Sequence, residues 1–263
     1  MMDTYYLISA YVLAGIFGLC VGSFLNVVIY RLPLGMSLAT PNSHCPVCKY
    51  ELHWYDNIPV LSYLILGGRC RNCKTHISFR YTAVELANMG LWLLSAFLFW
   101  QRSIPLACIT AAVMSIFLCI FFIDLEHKII LDRFQLMLLA LGIAAVFFDR
   151  SWGWVSHIVG GVIGFLVFFL ISWGFEKLCK REGLGGGDVK LAGVAGLLLG
   201  WERLLLSLLI ATIPAALIML ILSRGKEGEE REFPFAPFLV VGFGVSLLFG
   251  TQIIGWYLSL LGL

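Results

Sequence analysis

The sequence predicts an all-α polytopic membrane protein of about eight transmembrane helices, with one small extramembrane insert after the first helix. Two observations carry this. Hydrophobic residues make up 60% of the 263, charged residues only 13%, and the mean hydropathy is +0.92, which leaves too little polar surface to cover a water-soluble globule of this length. The apolar residues are also gathered into long runs, interrupted by one stretch, 31–80, where polar residues, prolines and cysteines take over. A net charge of +2, with no basic cluster interleaved with aromatics, gives no expectation of a nucleic-acid partner; the expected surrounding is the lipid bilayer.

The first apolar run, 5–30, exceeds the roughly 20 residues that cross a bilayer. Asp3 precedes it and Arg31 follows, the reverse of a secretory signal, so it is expected to remain as a membrane helix. Further runs lie at 82–100, 104–123, 133–148, 154–176, 189–200, 203–222 and 235–262. The run 189–200 is short for a crossing and suits a partial or irregular span. The expected organisation is a first transmembrane helix at 1–30, an insert at 31–80 and a membrane bundle at 81–263. Threading eight spans puts 15 of the 18 Lys and Arg on one side. Because cytoplasmic loops are enriched in basic residues, both termini are expected outside the cytoplasm, with the insert and the segments around 124, 185 and 224–232 inside. The last of these reads most simply as a solvated connector.

Within the insert, Cys45-Pro46-Val47-Cys48 and Cys70-Arg71-Asn72-Cys73 form two Cys-x2-Cys knuckles. Four thiolates at this spacing suit a closed tetrahedral zinc site, with Cys45, Cys48, Cys70 and Cys73 as ligands and structural zinc as the cofactor. Two disulfides are the alternative, disfavoured in a reducing compartment. His44, His53 and His76 are read as surface residues. Cys20, Cys108, Cys119 and Cys179 lack ligand spacing and read as buried small residues.

Two carboxylates break the apolar pattern. Gly185-Gly186-Gly187 delivers Asp188 into the run beginning at Val189, so Asp188 is expected at a helix N-terminus, with the glycines free to adopt φ > 0 and to admit another backbone alongside. Asp124 ends the run Phe121-Phe122-Ile123, with Glu126 and Asp132 as competitors for the partner role. Two aspartates entering one interface can share a proton and activate water against a peptide carbonyl. Helix dipoles would leave the proton on Asp124, at a C-terminus, and make Asp188 the base, with Lys190 pushing the same way. The alternative for Asp188 is a plain capping residue.

These residues, together with Gly22-Ser23-Phe24-Leu25-Asn26, Tyr55-Asp56-Asn57-Ile58-Pro59, Gly68-Arg69-Cys70-Arg71, and Arg80-Tyr81 with Glu85, carry a resemblance over nearly the whole chain. The sequence resembles bacterial type IV prepilin peptidases (leader peptidases/N-methyltransferases), intramembrane aspartyl proteases of the Gly-x-Gly-Asp type. The resemblance implies that Asp124 and Asp188 are the catalytic pair and that Gly185, Gly187 and Lys190 belong to the active-site turn. It implies removal of the basic leader of prepilins and pseudopilins, for type IV pili or type II secretion, after a glycine. Cleavage would occur at the cytoplasmic face of the bacterial inner membrane, followed by N-methylation with S-adenosylmethionine. Two positions depart from the family pattern: Leu131 stands where Leu-Pro-Asp has proline, and Thr82 where Arg-Tyr-Pro has it.

The chain holds no soluble nucleotide-binding unit, so the methyl-donor site is unassigned. Asp56, Asn57 and Glu85 are candidates by location, or else turn and capping residues that hold the insert. Glu227, Glu229, Glu230 and Glu232 could attract a basic leader. The alternatives are a peptidase without methyltransferase activity and, from another class, a membrane carrier with a zinc docking module. Oligomeric state is not legible.

Overall fold

Each apolar run becomes a helix, and the polar breaks become the connections. The computed structural model describes residues 2–149, 153–180, 184–223 and 234–262. Among them are α1 (Met2–Arg31), the short α2 (Leu61–Ile65), α3 (Arg80–Phe99), α4 (Ile104–His127) and α5 (Asp132–Phe148). There follow α6 (Trp154–Cys179), α7 (Gly186–Leu199), α8 (Trp201–Ser223) and α9 (Ala236–Leu260), and the described residues form no strand. Glu227, Glu229, Glu230 and Glu232 lie outside the described residues.

The expected eight spans need correction. Six helices, α1, α3, α4, α6, α8 and α9, are long and apolar enough to cross a membrane. The remaining two expected spans are helices but short: α5 has 17 residues and α7 has 14. At about 1.5 Å per residue they reach roughly 25 and 21 Å, below the roughly 30 Å of a hydrocarbon core. The ends of α7 are set by Gly185 and by Gly200, whose φ of +79° halts the helix. Leu191, Ala192, Ala195, Leu198 and Leu199 of α7 are all buried, so this helix is packed in protein and has no need to match a bilayer.

The chain divides into two compact units, Met1–Cys119 and Ile120–Leu263, with the boundary inside α4. In the first unit α1 crosses α3 at Gly18 and Gly22: a Cβ at Gly18 would lie 2.8 Å from the backbone of Met89, and one at Gly22 2.8 Å from that of Glu85. Small residues four apart let two membrane helices approach to backbone contact. The contact is fastened by buried polar groups. Asn88 donates to the Gly18 carbonyl (2.7 Å), Ser115 to Asn88 Oδ1 (2.8 Å) and Trp92 to Ser115 Oγ (2.9 Å). Satisfying each donor inside the unit matters because lipid offers no hydrogen bonds.

In the second unit α7 is wedged against α6 and α5, and α8 packs on α9. The α6–α7 crossing is closest where Gly160 meets Gly196 backbone to backbone. Arg203 of α8 forms a buried ion pair with Asp149 beyond the end of α5 (2.8 Å). The cysteines outside the insert correct another expectation: Cys119 is buried, but Cys20 and Cys108 are exposed on their helices. The side chain of Cys179 lies outside the described residues.

Gly196→Ala should lower the thermal stability of the detergent-solubilised protein by about 1–3 kcal/mol, because the new methyl meets backbone that cannot rotate away. Gly174→Ala, where a Cβ meets nothing within 4 Å, should melt like the wild type.

Candidate active site

The insert folds around its cysteines. In both knuckles the first cysteine's carbonyl accepts from the lysine that follows the second, Lys49 N–H to Cys45 (2.9 Å) and Lys74 N–H to Cys70 (3.1 Å). Both lysines sit at left-handed φ, 60° and 59°. The amide of each first cysteine donates five residues on, Cys45 to Tyr50 and Cys70 to Thr75. Two copies of one turn thus face each other, and their sulfurs converge. All four Sγ atoms lie within 4.8 Å of one another, with Cys45–Cys73 at 3.8 Å and Cys48–Cys70 at 3.9 Å. The edge of a tetrahedron with Zn–S bonds of about 2.3 Å is about 3.8 Å, so this donor set fits a zinc ion. Hydrogen bonding by Thr75 brings Cys73 down to about 6, the Cys48 backbone amide lowers Cys45, and Cys70 is raised within the cluster.

The donor-site candidates near the insert are already engaged. Asp56 is buried in a single 3-10 turn (Trp54–Asn57), where it pairs with Arg71 Nε at 2.7 Å and accepts from the His53 amide at 3.3 Å. Arg71 belongs to the second knuckle, so this pair clamps the turn to the cysteine cluster. Glu85, on α3, accepts from the Val60 amide at 2.8 Å. Both carboxylates hold the insert in place, the turn-and-cap reading of the sequence, and Asn57 closes the same turn.

Both aspartates of the sequence pattern lie in the second unit, each at a helix end and within electrostatic reach of the other. Asp124 stands in the last turn of α4, where its carbonyl accepts from Lys128 N–H (2.9 Å) as the helix ends. Asp188 stands in the first turn of α7, its amide donating to Gly185 O at 3.0 Å. Asp124 is 5% exposed and lies within electrostatic reach of Asp188. Asp124 Oδ2 and Asp188 Oδ1 are each buried without a hydrogen-bond partner. An orphaned buried carboxylate oxygen is costly unless it shares a proton or meets a ligand.

Three details correct the sequence reading. The glycines do not adopt positive φ: Gly185 has φ −61°, and Gly186 and Gly187 begin α7. They act through their missing side chains. A Cβ at Gly187 would lie 3.1 Å from Ile130 Cβ, one at Gly185 3.5 Å from Asp188 Oδ2, and one at Gly186 would meet open space. Lys190 turns away from the pair and bridges Asp132 (2.8 Å), which also removes Asp132 from competition. Finally, Asp124 does not face a helix C-terminus alone. The backbone N–H of Ala236, at the start of α9, is directed to its carboxylate, so both aspartates sit beside helix N-termini and dipoles no longer assign the proton.

Comparison with known proteins gives the family. The bacterial peptidase A24 N-terminal domain matches residues 16–100, and the type IV leader peptidase family matches residues 111–220. A prepilin leader peptidase/N-methyltransferase of Pseudomonas aeruginosa is 35% identical over 274 residues, covering 93% of this chain and 92% of the relative. The chain belongs to the type IV leader peptidase family. Proteins of the same description from Burkholderia pseudomallei (35% identical, 90% of this chain, 84% of the relative) and Stutzerimonas stutzeri (33%, 93% and 92%) are similarly close. No solved structure matches the chain.

For a member of the leader peptidase family, the two departures prove mild. Leu131 has φ −76° and ψ 132°, the conformation a proline would impose. Thr82 lies in the first turn of α3, where proline and other residues are both tolerated. Two residues near the pair went unread in the sequence. Ala236 is one. The other is Gln135, 5% exposed on α5, whose Nε2 donates to the Gly187 carbonyl at 3.1 Å and so ties the glycine turn to α5. A lone amide inside the apolar run 133–148 was its available signal.

Gly187→Ala should lower the melting temperature, because its methyl would meet Ile130 Cβ at 3.1 Å. Gly186→Ala should melt like the wild type. Equal effects at 186 and 187 would contradict this account of the turn.

Proposed function

We propose that this enzyme is a membrane aspartyl endopeptidase that removes the basic leader of type IV prepilins and pseudopilins after a glycine. It then methylates the new N-terminus with S-adenosylmethionine. The observation that carries the reading is the placement of Asp124 and Asp188 at the ends of two helices, within electrostatic reach and each with a buried unpartnered oxygen. The relatives' common name, prepilin leader peptidase/N-methyltransferase, supports both activities. No observation favours the carrier.

The chemistry follows from two carboxylates that share one proton. The ionised member takes a proton from a water held between them, and that water attacks the scissile carbonyl. The protonated member donates to the carbonyl oxygen as charge develops there. The proton then passes to the departing amine, and the pair is restored. Gly185 and Gly186 are exposed above Asp188, which leaves an approach for an extended substrate backbone. The Ala236 amide orients Asp124, and Gln135 holds the turn that carries Asp188.

In this proposal Cys45, Cys48, Cys70 and Cys73 hold a structural zinc ion that keeps the two knuckles of the insert together. S-adenosylmethionine would supply the methyl group to the new amine; its binding residues are unassigned. The protein lies in the bacterial inner membrane with both termini non-cytoplasmic, and the insert and both aspartates face the cytoplasm. With α5 and α7 counted as traversing inside the bundle alongside the six longer helices, 15 of the 18 Lys and Arg fall on that side, which supports this orientation.

The test uses purified protein with a prepilin and S-adenosylmethionine, followed by intact mass. Loss of the leader and gain of one methyl group are expected. Asp124→Asn and Asp188→Asn should each abolish cleavage while retaining the wild-type zinc content. A variant that still cleaves would remove its aspartate from the pair. Separately, Cys70→Ala should lose the zinc and become sensitive to proteolysis within the insert, whereas Cys108→Ala should keep one zinc per chain. Wild-type protein purified without chelators and containing no zinc would contradict the assignment.

A further inference from the structure

One face of the second unit is hollow. Between α5, α6 and α7 runs a groove of about 690 Å³. Its charged and amide groups, Asp132, Gln135 and Lys190, all come from the first turns of α5 and α7, while its remaining lining, such as Leu139, Val162 and Val194, is apolar. The polar end is joined to the active turn itself, because Gln135 holds the Gly187 carbonyl and Lys190 lies two residues after Asp188. Along α7 the groove extends from Lys190 to Leu197, about 10 Å or two helical turns.

We propose that this groove seats the apolar membrane stem of the prepilin substrate. The inference rests on the cleavage reading above. A prepilin of that reading is a membrane helix whose charged leader emerges at the cytoplasmic end, so its polarity changes along its length in the same sense as the groove. With the stem lying against α5, α6 and α7, the chain leaving its cytoplasmic end reaches the N-terminus of α7. There the open side of Gly186 lets an extended segment cross toward Asp188 and Asp124. The groove thereby fixes the distance from stem to scissile bond, and selects a cleavage site by its position relative to the membrane helix.

The test compares two substrates: full-length prepilin, and a water-soluble peptide containing the leader and the first few residues after the cleavage site. Val162→Trp and Val194→Trp fill the groove without touching the aspartates. For prepilin each should raise KM about tenfold with kcat unchanged, the signature of lost ground-state binding. For the short peptide both constants should match the wild type. An unchanged KM for prepilin, or an equal rise for both substrates, would overturn the proposal. Independently, benzoylphenylalanine at position 139 in the Asp188→Asn chain should photocrosslink to the prepilin stem. Adducts only with lipid or with a second copy of the chain would overturn it. A wild type that cleaves neither substrate would instead remove the cleavage reading, and the inference with it.

Discussion

Two carboxylates brought together out of water constrain this fold more than any other feature. Each oxygen without a partner costs free energy unless a proton is shared or a ligand supplies the missing bond. Asp124 stands in the last turn of α4 and Asp188 in the first of α7, so each carboxylate is delivered by a helix end. The start of α9 offers Ala236 N–H to one carboxylate, and Gln135 of α5 fixes the turn that carries the other. Four helices thus contribute to one small polar point, and the dense packing around α7 serves to keep it in place. The shortness of α7 belongs to the same design. A helix that starts at the Asp188 turn and is buried among its neighbours has no bilayer thickness to match.

The helices were legible in the sequence because a membrane forbids irregular backbone facing lipid, so long apolar runs have essentially one solution. Their conversion into spans came out slightly high: six of the eight runs give helices long and apolar enough to cross, and α5 and α7 have 17 and 14 residues, the run 189–200 having already read as short for a crossing. The cysteine cluster was legible because a local turn of four residues, repeated, defines the ligand geometry almost by itself. Asp124 and Asp188 were legible as charges at the edges of apolar runs. Their surroundings were not. Ala236 contributes a backbone amide, which has no sequence signature, and the Lys190–Asp132 bridge links residues 58 apart. Of the two reasons the glycine turn suggested, absence of bulk and access to positive φ, only the first is found. Gly18 and Gly22 carried a readable small-residue spacing that went unread, and they form the closest contact between α1 and α3.

The insert has a different logic. Its polar stretch has too few apolar residues to build a core, so its shape rests on cysteine turns and on ionic clamps such as the buried Asp56 with the partly exposed Arg71. Glu85 extends the same support from α3 to the insert through the Val60 amide. Asp56 and Glu85 are held by internal bonds, as are Asp149 and Asp132 in the second unit, whereas Asp124 and Asp188 each keep one buried oxygen without a hydrogen-bond partner. That contrast separates residues that maintain structure from residues available for chemistry.

The most direct test of the central claim is whether positions 124 and 188 face each other in the folded protein. The measurement is thiol bridging in a chain carrying Asp124→Cys and Asp188→Cys, with the four insert cysteines retained and Cys20, Cys108, Cys119 and Cys179 replaced by serine. A short bifunctional thiol reagent should join 124 to 188 within one chain, read by peptide mass after digestion. If both thiols react with a monofunctional reagent yet no bridge forms between them, the two aspartates do not constitute one site and the account fails.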